Sequence, residues 1–203
     1  MVLSLLVVIC GNLKTKKKMA QYLGLPLYYI NVDEPELGME AISFVSDPAT
    51  DVQFLKFKEN KKIEFSKDIE KREIFGPAII VDQPIYRRGE NGEEFYVCFS
   101  KETIEKIMVK YSKDNLFNSI TLEHADKTNK AVLISMFLKD SEAGINPKYY
   151  EFVPEGSLFV RYKVLDDELW RQIKEDNDFS GFSIEVLCNL DKGPDDELDD
   201  YLD

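Results

Sequence analysis

From Leu25 onward the chain is written in short runs of β-branched and aromatic residues separated by Asp, Glu, Pro and Gly, a punctuation that confines it to a strand-rich fold. The runs fall at 25–32, 41–45, 52–57, 74–86 in two pieces, 95–99, 120–123, 131–138, 158–164 and 182–187. Pro77 and Pro84 restrict the pieces that hold them to sheet edges or bulges, because proline brings no N–H to a ladder. The Asn91-Gly92 pair predicts a tight hairpin with positive φ at its centre. The heavily charged 58–72 stretch reads as a hairpin or an exposed loop.

Two segments follow the helical period instead. Ser100 is suited to cap a helix whose apolar face is Ile104, Ile107, Met108 and Tyr111, with Glu102 in the first turn. A second helix is predicted over about 166–174, opened by Asp166, Asp167 and Glu168, with Leu169, Trp170 and Ile173 as its core-facing stripe. About nine short strands with two helices define an α+β fold with a curled or barrel-like sheet.

Composition narrows the function. The 203 residues suit one domain over 21–190, preceded by an extension over 1–20 and followed by an acidic tail over 191–203. A formal charge of −12 argues against general nucleic-acid binding, which needs a cationic surface. The run Lys14, Lys16, Lys17 and Lys18 is the local exception and reads as a solvated segment. The apolar stretch 2–10 is too short to span a bilayer, and its lysines follow it, the wrong order for a secretory signal. Met19 is the expected natural start, with a short strand or a peripheral membrane contact as competing readings. Three cysteines, Cys10, Cys98 and Cys188, lie far apart with no C-x-x-C pair, so neither a disulfide framework nor a thiolate zinc site is expected. A single histidine excludes His-rich metal centres, and no cofactor or metal is expected.

That histidine, His124, is the natural candidate for proton transfer near neutral pH. It closes the strand-like run 120–124, where a side chain is held firmly yet can reach a cleft; a surface loop histidine is the competing reading. Ser183 is the candidate nucleophile. Strand alternation over 182–187 puts Ser183 and Glu185 on one face, roughly 7 Å apart. They read either as a nucleophile with the partner that orients its base, or as the polar face of an edge strand. Gly181 would let backbone N–H groups approach an oxyanion, or is a plain turn glycine. Gly181-Phe182-Ser183-Ile184-Glu185 lacks the second glycine of a nucleophile elbow and opens no helix, which disfavours an α/β-hydrolase. A cysteine protease would need Cys98 or Cys188 beside His124, but both sit in apolar, strand-like surroundings.

Four stretches in order carry a resemblance: 38–49 with 54–57; 76–87 running through Asn91-Gly92 into 95–97; Leu122-Glu123-His124; and 154–160 continuing through Trp170 to 181–185. Together they resemble the XkdF-like serine proteases of tailed phages, within the wider prohead-protease group. The resemblance implies a herpesvirus-protease-like β-barrel of about seven to nine strands flanked by helices. It implies a prohead maturation endopeptidase in which His124 is general base and Ser183 nucleophile. Glu185, matching the family's Phe-Ser-Ile-Glu motif, is placed first as third member, with Glu123 and Asp126 as rivals. The implied partners are phage scaffold and major capsid precursor proteins, with self-association, no specific nucleic acid and no membrane. The implied setting is the host bacterial cytoplasm, inside the procapsid. A catalytically silent head-assembly protein retaining the fold is the alternative.

Overall fold

The computed structural model describes residues 21–48, 55–57, 71–89, 91–125, 127–176 and 178–192. Strands β1 (Gln21–Tyr22), β2 (Leu25–Asn31), β3 (Gly38–Val45), β4 (Leu55–Phe57), β5 (Glu73–Ile79), β6 (Ile85–Arg88) and β7 (Glu94–Cys98) precede helix α1 (Lys101–Lys113). A 3₁₀ turn then leads to β8 (Ile120–Leu122), β9 (Ala131–Leu138) and β10 (Leu158–Val164). Helix α2 (Asp167–Arg171) runs into a π-turn, followed by β11 (Gly181–Leu187) and β12 (Asn189–Lys192).

The expected α+β class is the observed one. The expected single curled barrel is not: among the described residues the strands form three open sheets. One has the order β1-β2-β7-β6 with β12 also on β2, the second β4-β5-β10-β9, the third β11-β3-β8. Register shifts interrupt the β10 ladders between Leu158 and Phe159 and between Arg161 and Tyr162, and the β11 ladder between Glu185 and Val186. Such bulges bend strands and end regular pairing, which divides a curled sheet into sectors. Pro77 sits at one of them, opposite Phe159, the kind of position where a sheet admits proline.

The three sheets share a core. Ile42 and Phe44 of β3, Phe182 and Ile184 of β11, and Ile120 of β8 point one way and are buried, meeting Tyr162 of β10 and Ile104 and Ile107 of α1. Phe44, Tyr162 and Phe182 touch edge-on or tilted, with ring centroids 5.1 to 5.7 Å apart. The predicted caps hold. Ser100 Oγ accepts from Thr103 N–H at the start of α1, and Asp166 Oδ1 accepts from Leu169 N–H at the start of α2. Trp170 is buried in the core as expected.

Elsewhere the details differ from expectation. The β6–β7 loop spans Gly89 to Glu93, with a bond from Gly89 N–H to Glu93 O, and only Gly92 of the Asn-Gly pair has positive φ, at 84°. The Asn91 side chain instead accepts from Glu93 N–H, as short polar residues do in turns. Strand β12 pairs through Lys192, two residues into the stretch read as acidic tail. The charged 58–70 stretch and residues 1–20 lie outside the described residues, so the readings made there are untouched.

Candidate active site

The three-stranded sheet has a polar side. In the register, Ser183 of β11 stands opposite Ser43 of β3, and Ser43 stands beside Thr121 of β8. Paired residues project to the same face, so the three hydroxyl side chains form one row across strands about 4.8 Å apart. Each is almost fully buried: Ser43 is 0% exposed, Thr121 3% and Ser183 4%. Strand β11 lies at the edge of its sheet, as the competing reading for Ser183 has it, and the serine on this face is buried. Buried hydroxyls cost stability unless paired, so a row of them calls for a specific use.

Glu185 follows Ser183 on the same face of β11 and completes the connection to His124. Its Oε1 accepts from Thr121 Oγ1 at 2.5 Å and lies 3.2 Å from His124 Nδ1. The side chain of His124 is 7% exposed and that of Glu185 27%, so this contact is shielded from water. A carboxylate oxygen that accepts here takes its proton from Nδ1, so the contact favours the Nδ1–H tautomer of the ring.

His124 reaches this position from a turn. After β8, Ala125 N–H bonds to Leu122 O at 3.0 Å, and the two central residues, Glu123 and His124, have φ of 49° and 56°. The next segment returns alongside β8, with Thr121 bridged to Lys127 and Thr128 N–H bonded to Ile120 O. His124 is thus the tip residue of a hairpin hung from the sheet that carries Ser183. Its N–H donates to Ser43 Oγ at 3.0 Å.

Of the two rivals for the third position, one can be placed. Glu123 Oε1 accepts from Ser46 N–H at 2.6 Å, so its carboxylate is engaged on the chain just beyond β3. Asp126 lies outside the described residues. Among the described residues, Glu185 brings a carboxylate into contact with the imidazole.

Gly181, two residues before Ser183, has a packing reason for lacking a side chain. A Cβ there would stand 2.6 Å from Pro48 Cβ and Cγ. The Ser46–Pro48 segment is stitched to the same strand end by Ser180 Oγ, which donates to Ser46 O at 2.5 Å. Ser43 and Thr121 were not legible as site residues beforehand. Their signal was a hydroxyl in each of two apolar strand runs, which is weak until register is known.

The cysteines take no part of this kind. Cys98 and Cys188 are buried, and burial pushes the Cys98 thiol up to about 11, far from the thiolate a cysteine nucleophile requires. Cys10 lies outside the described residues.

Residues 86–190, just over half of the chain, match the family described as "Putative phage serine protease XkdF", and the chain belongs to that family. The matched span contains His124, Ser183, Glu185, Thr121 and Glu123; the 38–49 stretch and Ser43 precede it. No curated protein and no solved structure is significantly similar to the chain.

Proposed function

We propose that the protein is a serine endopeptidase of phage head maturation, with Ser183 as nucleophile, His124 as general base and Glu185 as the residue that orients it. The observation that carries this reading is the contact of His124 Nδ1 with Glu185 Oε1 on the sheet face that also presents Ser183. Nucleophile, base and orienting carboxylate are the three parts such catalysis needs, recognised by geometry and not by position in the chain.

In this scheme Ser183 Oγ attacks the scissile carbonyl as its proton passes to His124 Nε2. The imidazolium, steadied by Glu185, gives that proton to the leaving amine as the C–N bond breaks, and an acyl-enzyme on Ser183 remains. Water then attacks the ester while His124 takes one of its protons, and returns it to Ser183 Oγ as the carboxylic product departs.

The substrates would be the scaffold, the major capsid precursor and the chain itself, cut inside the procapsid in the host cytoplasm. Family membership supports a phage protease, and the charge of −12 suits a protein whose partners are proteins. The fold would be related to the herpesvirus-protease-like one, with its strands in the three open sheets described above. The test is co-expression with the capsid and scaffold proteins of the same phage, comparing wild type with Ser183→Ala and His124→Ala by intact mass. Discrete truncations in wild type that both variants abolish are expected. Uncut, co-assembling partners in all three would make the chain a structural head component.

A further inference from the structure

The imidazole meets Glu185 from a turn whose backbone is in an unfavourable conformation and is held by the bonds Glu123 N–H to Phe44 O and Ala125 N–H to Leu122 O. Glu123 and His124 are consecutive residues with φ of 49° and 56°, and neither is glycine or asparagine. Each left-handed residue of this kind costs about 1–2 kcal/mol. Such a conformation persists only where the surroundings over-determine it, and it clusters at functional sites.

Here two side-chain contacts impose it, one for each strained residue. Ser43 Oγ takes the His124 N–H at 3.0 Å. The Ser43 proton is turned to the carbonyls of Thr121 and Phe44, at 3.4 and 3.5 Å, so this hydroxyl holds backbone on both sides. The Glu123 carboxylate takes the Ser46 N–H at 2.6 Å, tying the same turn to the chain just beyond β3. Strand β3 also pairs with β11 at Ser43 and Ser183. The element that carries the clamp is therefore the one that carries the register of the serine.

We propose that Ser43 and Glu123 are positioning residues that lock the Leu122–Ala125 turn in its left-handed form and so hold the His124 imidazole against Glu185. This rests on the reading of Ser183 and His124 as a reactive pair. Neither residue touches reacting atoms in this role. Without the clamp the turn would relax towards right-handed geometry and carry the imidazole off Glu185.

The test uses the full chain, a fluorophosphonate probe for the reactivity of Ser183, and the ¹⁵N shifts of the imidazole, which are unambiguous because the chain has one histidine. Ser43→Ala and Glu123→Ala should slow labelling roughly 10- to 100-fold, as displacements of up to about 1 Å do in catalytic constellations. Glu123→Gln, which keeps an oxygen acceptor for Ser46 N–H, should restore most of the rate. The imidazole should shift from the Nδ1–H form to a mixture of tautomers in the two alanine variants and return in Glu123→Gln. Wild-type labelling rates and imidazole shifts in both alanine variants would overturn the proposal. Should Ser43→Ala fail to fold, the exposed Glu123 pair of variants decides alone. Should wild type itself resist the probe, the protease reading fails while the imidazole shifts of the Glu123 variants still decide the clamp.

Discussion

His124 and Glu185 lie 61 residues apart in the chain and meet at 3.2 Å through Nδ1 and Oε1. The meeting follows from strand order. Strand β3 is paired on one side with β8, which ends in the histidine turn, and on the other with β11, which carries Ser183 and Glu185. One buried strand thus sets the geometry of all three side chains.

The first consequence concerns the proton on the imidazole. With Glu185 accepting at Nδ1, neutral His124 is expected in the Nδ1–H form, readable from its ¹⁵N shifts. Glu185→Gln can instead donate through its amide and stabilise the opposite tautomer. A loss of Ser183 reactivity on the order of 10²–10⁴-fold should accompany that swap, with little change in thermal stability.

Thr121 reinforces the same carboxylate, since its Oγ1 donates to the oxygen that faces His124. Thr121→Val keeps shape and removes the donor. Hydrogen bonds to charged groups contribute about 1.5–3 kcal/mol, so chemical denaturation should show a loss at or below that range. Labelling of Ser183 should slow about 10-fold, because the orienting oxygen then has one fewer restraint.

Gly181 makes a steric prediction. Gly181→Ala places a methyl 2.6 Å from two carbons of the Pro48 ring, and backbone must move to admit it. Overpacking of this kind costs about 1–3 kcal/mol. Pro48→Gly in the same chain should recover part of the loss, and a double-mutant cycle measured by urea unfolding reads the coupling.

Alkaline stability follows from the buried core. Burial holds the Cys98 thiol at about 11 against an ordinary 9.0, and pushes the Tyr111 and Tyr162 phenols up as well. The unfolded chain therefore releases these protons at lower pH than the folded one. The Cys98 contribution is fully present below about pH 9 and is lost as pH rises through about 11, while that of the two phenols begins to fall only above their ordinary value of 10.0. The urea midpoint should be level between pH 7 and 8.5 and fall between pH 9 and 11, less steeply in Cys98→Ala.

Much of this was legible in the chain because local rules and tertiary demands agree. The Ser100 and Asp166 caps, the apolar stripes of Ile104, Ile107 and Tyr111, and the alternation of Phe182, Ile184 and Val186 against Ser183 and Glu185 all survive folding. What was not legible depends on register. Nothing local says that Ser43 would stand between Ser183 and Thr121, because cross-strand neighbours are set by pairing partners far away in sequence. The left-handed turn at Glu123 and His124 was hidden for a different reason: glutamate does not favour positive φ, and the enrichment of histidine there is no signal on its own. The division into three open sheets was hidden for the same reason as the row of hydroxyls, because it depends on which distant strands pair and not on alternation within each run.

The central claim is that Ser183 is an activated nucleophile whose base is His124. Intact mass of the full-length chain after exposure to a fluorophosphonate tests it without knowledge of the substrate. A single adduct located at Ser183 is expected, absent from Ser183→Ala and from His124→Ala. No adduct on wild type, or an adduct that persists in Ser183→Ala, would contradict it.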